Sequence, residues 1–333
     1  MTVRTATRLL LILGAAALAA RAASAQRPAD SDAGPALLPV VVDDKWGFAD
    51  RTGKIVAAPQ YDEAAESSAG LAAVKLSRRW GFVDSRGRLV VTPQYDSVGR
   101  FAAGLAWVEL DGRFGFIDPT GRLAINPQFD RADEFHNGRA AVRLGGRWGH
   151  IDQKGSFAIN PQFDEAQEFS DALAAVKIGD RWGYVERNGK YAVNPQFKKA
   201  GAYRDGRAPV RLDDLWGYVD GRGKLAVNPQ FKEASPFSEG LARVRVGDLY
   251  GYIDTKGALV INPQFEKAGD FHDGLALAAL KDRYGFIDTD GKFAINPQFD
   301  EAWGFTHGLA RVKIERRFGY VNGDGHYVYN PTK

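Results

Sequence analysis

A repeat of 34 residues runs through nearly the whole chain and constrains its fold more than any other feature. A pair made of an aromatic residue and a glycine recurs nine times at intervals of 34 residues. A proline and a second glycine recur with the same period and in the same phase, as at Pro161 and Gly155. Because three markers keep one phase without an insertion, the chain is predicted to build one small unit nine times over.

The repeated unit is predicted to consist of β-strands. Each unit has a proline in its middle and usually three glycines, which excludes the paired helices of helical repeats of the same length. In the unit that begins at Gly70, the runs "LAAVKL", "WGFVD" and "RLVVTPQY" are short and rich in β-branched and aromatic residues. Ser77-Arg78 and "DSRG", which ends at Gly87, lie between the runs as turn sequences. The unit is therefore predicted to be a three-stranded β-meander.

A linker follows the third strand and carries an apolar pair at spacing i, i+3. This spacing predicts one turn of α- or 3₁₀-helix that packs back onto the sheet. The pairs are clearest at Ala132 and Phe135, Ala166 and Phe169, and Ala302 and Phe305. A unit of this size cannot bury its own apolar face, so each copy is expected to depend on its neighbours for a core.

The fold class predicted from these units is all-β, with nine three-stranded meanders stacked as an open superhelical, solenoid-like array. A closed β-propeller-like ring is the alternative. Propeller blades usually have four strands and rings usually hold four to eight blades, which favours the open array. Both ends of the chain also look like complete sets of three strands.

Three segments are predicted along the chain. Residues 1–25 have a basic start, the apolar run "LLLILGAAALAA" and a small-residue cleavage site at Ala23-Ser24-Ala25, as in an export signal peptide. Residues 26–35 form a flexible leader, and residues 36–333 form the repeat array. Its units begin at residues 36, 70, 104, 138, 172, 206, 240, 274 and 308.

The composition limits where the protein can be located and which classes of partner it can bind. The chain has no cysteine, so it has neither disulfides nor thiolate metal sites. Removal of residues 1–25 takes away three arginines and no acid, so the formal charge of +3 falls to zero. A neutral protein with interspersed charges has no electrostatic basis for binding nucleic acid. The mature protein is expected to be periplasmic or extracellular, without a membrane span.

The repeated motif resembles the bacterial WG-repeat (KWG-repeat) family. It reads "KWGFADRTGKIVAAPQYDEA" from Lys45 and "DRYGFIDTDGKFAINPQFDEA" from Asp282, and the resemblance covers residues 36–333. It implies an all-β repeat protein without recognised catalytic residues of its own. Phe or Tyr replaces Trp in several copies, which keeps a large ring and indicates a packing role.

The candidate site residues are those that depart from the repeat. Trp107 and Trp303 each occur once at their repeat positions, and His136 and His272 share one position four units apart. These four residues are predicted as binding candidates. Trp107 lies on the first strand of its unit, and the other three lie in the linker edge, where Arg204 also varies. The periodic rings are predicted to be structural: Trp46, Trp80, Phe114, Trp148, Trp182, Trp216, Tyr250, Tyr284 and Phe318.

Neither a metal nor a cofactor is predicted. The histidines lack the spacing of metal ligands, and the acid before each second glycine, such as Asp84, is expected to cap a turn. The predicted function is an exported, non-catalytic binding or scaffold protein for a protein, peptide or envelope-glycan partner. A glycosidase-like hydrolase that uses two acids from different units, acting on an envelope polymer, is the alternative.

Overall fold

The computed structural model describes residues 37–330, and these form nine antiparallel sheets in chain order. The predicted signal peptide and leader lie outside the described residues. Every sheet holds the three predicted strands, and eight of the nine add a short strand before them. No helix in this part of the chain has the length and apolarity that a membrane span requires.

The sheets are numbered as blades 1 to 9, with strands β1 to β35 in chain order. Blade 1 holds Leu38–Val42, Lys45–Ala49 and Ile55–Tyr61 (β1–β3), and blade 2 holds Glu63–Ala64, Leu71–Leu76, Arg79–Asp84 and Leu89–Tyr95 (β4–β7). Blade 3 holds Ser97–Val98, Ala106–Leu110, Arg113–Ile117 and Leu123–Phe129 (β8–β11), and blade 4 holds Arg131–Ala132, Ala140–Leu144, Arg147–Ile151 and Phe157–Phe163 (β12–β15). Blade 5 holds Glu165–Ser170, Leu173–Ile178, Arg181–Glu186 and Tyr191–Phe197 (β16–β19), and blade 6 holds Lys199–Ala200, Arg207–Leu212, Leu215–Asp220 and Leu225–Phe231 (β20–β23).

The last three blades follow the same plan. Blade 7 holds Glu233–Ala234, Leu241–Val246, Leu249–Asp254 and Leu259–Phe265 (β24–β27), and blade 8 holds Lys267–Ala268, Ala276–Leu280, Arg283–Ile287 and Phe293–Phe299 (β28–β31). Blade 9 holds Glu301–Ala302, Leu309–Ile314, Arg317–Asn322 and Tyr327–Tyr329 (β32–β35).

Turn residues fold each meander as the sequence predicts. Ser77 and Arg78 join β5 to β6 with φ angles of 50° and 73°, the left-handed region that a two-residue hairpin turn requires. Gly87 has a φ of 74° in the next turn. There the Asp84 carboxylate accepts backbone hydrogen bonds from Arg86 (2.9 Å) and Arg88 (3.0 Å). The aspartate of seven units caps its turn in this way, as expected. Asn322 does so in blade 9, and Asn188 replaces Glu186 as the acceptor in blade 5.

The sequence-based prediction for the linker is wrong, because this segment is extended and not helical. In blade 5, Ala166 pairs with Val176 and Phe169 pairs with Ala174. The linker strand thus advances three residues where its partner advances two, which is a β-bulge. This irregularity brings residues i and i+3 to the same face, which imitates a helical spacing. Eight of the nine repeats therefore supply a fourth, short strand, which pairs with the next blade, and the three-stranded unit is corrected.

The core lies between blades and not within them. Buried side chains of residues 37–330 form nine clusters, and two neighbouring blades contribute to each. In the cluster between blades 3 and 4, Phe135 from the linker packs on Phe116 with ring centroids 4.9 Å apart. An open array of nine blades would have eight such clusters.

The ninth cluster joins blade 9 to blade 1 and closes a ring. Leu38 and Val40 are buried there against Leu309 and Tyr320. The Tyr320 hydroxyl donates a hydrogen bond to the Pro39 carbonyl oxygen (3.1 Å). The protein is thus a nine-bladed β-propeller, the alternative stated above, and the open solenoid-like array is wrong. Blades 9 and 1 close the ring by packing face to face, and no strand is exchanged between their sheets.

Candidate functional site

Neighbouring blades are joined by hydrogen bonds at the edge formed by the linker segments. The Ser170 hydroxyl donates to the Tyr203 carbonyl oxygen (2.5 Å), and the Ser238 hydroxyl donates to that of Phe271 (2.7 Å). Because these partners are 33 residues apart, the linkers of successive blades lie side by side. The side chains that vary between linkers are therefore brought together along this edge.

Five linker side chains from blades 3 to 6 form a chain of alternating charges, which we call the charged row. Its members are Arg100, Glu134, His136, Glu168 and Arg204. The Arg100 Nε and Nη2 atoms each lie 3.2 Å from a Glu134 oxygen, in the bidentate geometry of a strong ion pair. His136 Nε2 lies 2.8 Å from Glu168 and 3.7 Å from Glu134, and Arg204 Nη2 lies 3.6 Å from Glu168.

The charges of the row shift the pKa values of its members. Burial favours the neutral acid at Glu134, but hydrogen bonds from His136 and Arg100 outweigh it and lower the pKa of Glu134 to about 2. The carboxylates of Glu134 and Glu168 raise the pKa of His136 to about 9, so the imidazole is protonated at neutral pH. Burial, together with the charges of Glu168 and Glu134, raises the pKa of neighbouring Asp133 to about 6.

We expect the stabilising effect of His136 to disappear in alkaline solution. Its pKa in the folded state is about 9, above the 6.5 of a histidine in an unfolded chain. The imidazolium therefore stabilises the folded state fully below pH 6.5, and this contribution is lost as the pH rises through 9. A proton NMR titration of the folded protein, with His136→Asn to assign the resonance, measures the pKa directly. Glu168→Gln should lower it.

The pH dependence of stability provides a second readout with a matched control. The difference in denaturation midpoint between the wild-type protein and His136→Asn should shrink between pH 6.5 and 9. His272→Asn is the control, because it removes the histidine at the same repeat position in blade 8. His272 lies next to Gly304, whereas His136 lies next to the carboxylate of Glu168. An imidazole resonance of His136 that titrates near 6.5 would contradict the arrangement of the charged row.

Trp107 lies next to the charged row and lines a cavity of about 220 Å³ between blades 2 and 3. Its half-buried indole packs against Phe114, with ring centroids 5.4 Å apart. Arg100 and Glu134 of the charged row also line the cavity. Two of the predicted binding candidates, Trp107 and His136, therefore belong to one continuous surface on blades 2 to 6.

The other two candidates lie in blades 8 and 9. Trp303 is half-buried beneath the Arg311 guanidinium, whose central carbon is 4.1 Å from the ring centroid. His272 is exposed, and its Cδ2 atom lies 3.9 Å from a Cβ built on Gly304. The four residues thus form two pairs, and the structure does not bring them to one point.

The nine periodic rings pack against the cores between blades. Phe114 and Trp182 are buried, and the other seven are half-buried. Several carry a cation over the ring, such as Lys75 over Trp80 (5.5 Å from Nζ to the centroid). This arrangement agrees with a structural role for these rings.

His150 is buried and replaces the ring that other blades have at the same repeat position. Its Nε2 atom lies 3.0 Å from the Gln167 carbonyl oxygen, where Tyr184 of blade 5 donates its hydroxyl to the Gly201 carbonyl oxygen (2.9 Å). Burial lowers the pKa of His150 to about 4, so the ring is neutral at physiological pH. Its role is to join strand and linker within the core.

Sequence reasoning missed most of the charged row and the whole cavity. Glu66, Arg100, Glu134 and Glu168 occupy one repeat position in four successive blades. A charged residue at this position in four successive blades is a signal that can be read from the sequence. Among residues 37–330 no group of three or more His, Asp or Glu side chains is arranged to hold a metal ion.

Comparison with known proteins identifies the family. The sequence pattern described as "WG containing repeat" matches eight consecutive segments of the chain, at 46–77, 80–114, 114–148, 148–182, 182–216, 216–250, 250–283 and 284–316. The chain belongs to the WG-repeat family. No curated protein matches it in sequence.

Solved structures resemble the WG-repeat ring in fold. A structure titled "Crystal structure of the eukaryotic initiation factor" aligns with a TM-score of 0.63 at 10% identity, over 89% of this chain and 95% of that chain. BamB from Moraxella catarrhalis aligns with a TM-score of 0.44 at 10% identity, over 87% of this chain and 92% of its own. The likeness to the initiation factor is one of fold alone.

Proposed function

We propose that this WG-repeat protein is an exported, non-catalytic binding module whose partner contacts blades 2 to 6 at the linker edge. The main support for the proposal is that several neighbouring blades in this region have side chains that differ from those of the repeat. The charged row and the Trp107 cavity lie side by side there. Outside these blades, Pro236 and Gly304 take the repeat position of Glu134 in blades 7 and 9, and Asp270 of blade 8 forms a separate pair with Arg243 (3.5 Å).

The arrangement of charges supports binding over catalysis. Glu134 and Glu168 are already engaged by Arg100, His136 and Arg204, so neither is free to transfer a proton. Fixed, paired charges beside an aromatic cavity are instead suited to orienting a partner. The partner is a protein, a peptide or an envelope glycan. Export is supported by the signal-like sequence of residues 1–25.

Capture from the envelope fraction of the producing bacterium tests this proposal. The purified exported protein is immobilised, and retained proteins and glycans are identified by mass spectrometry and on a glycan array. Trp107→Leu should lose a partner that the wild-type protein retains, because the indole lines the cavity. The expected loss of affinity is about tenfold, in line with a central aromatic contact.

Trp303→Leu is the matched control, since that indole is covered by Arg311 of the same blade. It should retain the partner that Trp107→Leu loses. Equal capture by both variants, or no partner for the wild-type protein in any envelope fraction, would overturn the proposal.

A hydrolase with paired carboxylates is the second candidate, and Asp133 is the observation that favours it. The pKa of Asp133 is about 6, whereas that of the adjacent Glu134 is about 2. Such a difference between two neighbouring carboxyl groups is typical of a general acid and its ionised partner. Release of reducing ends from purified cell-wall polymer measures this activity. Turnover that is lost in a folded Asp133→Asn variant would replace the binding proposal with this one.

A further inference from the structure

The cavity beside Trp107 exists because blade 2 has alanine at two facing positions. The Ala65 amide donates to the Ala73 carbonyl oxygen (2.9 Å), so the two short side chains are neighbours across the strands. Other blades fill at least one of these positions with a larger side chain. The corresponding pairs in blades 3 to 9 are Gly99 with Trp107, Asp133 with Ala141, Gln167 with Ala175, Gly201 with Pro209, Ser235 with Arg243, Gly269 with Leu277 and Trp303 with Arg311.

The unfilled volume has aromatic walls and a charged mouth. Trp80, Phe82, Phe101 and Trp107 line it, together with the side chains of Glu66, Ser68, Arg100 and Glu134. A Cβ added at Gly99 would overlap the Trp107 indole nitrogen, so glycine is needed for the indole to lie there. The cavity is therefore built by several departures from the repeat at once.

The unsatisfied charge at the mouth is negative. Arg100 and Glu134 neutralise each other through their bidentate pair. Glu66 is exposed, and among residues 37–330 no hydrogen bond or ion pair involves its side chain, although its charge, after that of Glu134, helps to raise the pKa of Arg100. Arg311 shares the smaller cavity on the other side of Glu66, at the junction of blades 9 and 1, and stacks on Trp303.

Blade 9 shows which chemical group this environment accepts. In blade 9, Arg311 occupies the strand position that Trp107 has in blade 3. Its guanidinium stacks on the Trp303 ring, with the guanidinium carbon 4.1 Å from the ring centroid. Rings elsewhere in the chain carry a cation, but no lysine or arginine in the described part lies over Trp107. An indole face and a free carboxylate are the two partners that a guanidinium uses best.

We propose that the cavity receives the guanidinium of an arginine side chain from a polypeptide partner, with Trp107 as the stacking ring and Glu66 as the counter-charge. This inference rests on the proposed binding function and names its partner as a protein or peptide. The volume of about 220 Å³ is below the roughly 300–1,000 Å³ of pockets that enclose a whole small ligand. One side chain of a larger partner fits it, while the charged row extends the contact surface.

Two blocked peptides that differ in one charge test the proposal. The first is Gly-Gly-Arg-Gly-Gly, and the second has citrulline, which keeps the planar shape without the charge. Binding to the full exported protein is followed by NMR of the Trp107 indole N–H, assigned with Trp107→Phe, and by calorimetry. The arginine peptide should bind at least about fivefold more tightly, as expected for a cation–π contact with a counter-charge.

Substitutions in the cavity should weaken the arginine peptide selectively. Trp107→Leu and Glu66→Gln should each cost about fivefold or more, and Ala73→Leu should block binding by filling the volume. Trp303→Leu and Glu315→Gln, which change an already covered indole and a distant exposed carboxylate, should leave affinity unchanged. Circular dichroism spectra that match the wild-type spectrum show that each variant is folded.

Three results would overturn the inference: equal binding of the citrulline peptide, no binding of the arginine peptide, or arginine binding that Glu66→Gln and Trp107→Leu leave intact. A titration with chitotriose separates this failure from that of the proposed function. A neutral saccharide that shifts the Trp107 indole resonance, while the arginine peptide does not, would keep the binding module and assign the cavity to a glycan.

Discussion

Gly217→Ala is expected to destabilise the protein by about 3 kcal/mol or more, although it adds a single methyl group. Gly217 is the glycine of the aromatic-glycine pair in blade 6. A Cβ built there lies 2.5 Å from the Val227 carbonyl oxygen and 2.8 Å from the Pro229 nitrogen. Both atoms belong to the backbone of the adjacent strand, so relief requires that strand to move. Chemical denaturation followed by tryptophan fluorescence measures the loss.

Gly221→Ala is the matched control in the same blade. No atom lies within 4 Å of a Cβ built at this position, and its φ is outside the left-handed region. The substitution should change the free energy of unfolding by less than about 0.5 kcal/mol. If Gly217→Ala were tolerated as well as Gly221→Ala, close approach of two strands would not explain the repeated glycine.

The same geometry explains why the pair and the proline recur together. Trp216 pairs with Phe231, and Tyr218 pairs with Val227, so the outer strand has two more residues than its partner between these pairs. Pro229 lies in this bulge, where its missing N–H removes no ladder hydrogen bond. The close approach of this backbone to Gly217 is visible only in three dimensions.

The parts of the fold that depend on local chemistry were predictable from sequence. The period, the three main strands and the turns at Ser77-Arg78 and Gly87 follow from turn residues and alternation along a few residues. The linker was not predictable in this way. Ala166 and Phe169 share a face because of a bulge, and a spacing of three residues does not distinguish a bulge from a helical turn.

Ring closure and the cavity depend on relations between distant units, which a one-dimensional pattern does not contain. In the sequence, Val40 lies near the start of the repeat array and has no visible partner before it. In the structure, it is buried against Leu309, some 270 residues away. The Trp107 cavity likewise requires Ala65 and Ala73 to face each other beside the next blade. The four predicted binding candidates stay predictions, with Trp107 and His136 placed on one surface.

Val40→Asp gives the sharpest test of the closed ring. Val40 lies on the first strand of blade 1 and is 1% exposed, because blade 9 covers it. A carboxylate there would be buried without a partner, which costs about 3–5 kcal/mol. In an open array the same face of the first blade would be exposed to water, and aspartate would be accepted.

Two control substitutions separate closure from a general sensitivity of blade 1. Val142 occupies the same repeat position inside blade 4 and is 0% exposed, so Val142→Asp sets the cost of a charge between two packed blades. Val42, at the end of the same strand as Val40, is 43% exposed, so Val42→Asp should have an effect below about 0.5 kcal/mol. With a closed ring, the denaturation midpoint of Val40→Asp falls with that of Val142→Asp. A midpoint close to that of Val42→Asp would mean that blades 9 and 1 do not pack in solution, and nine blades would then have to be explained as an open stack.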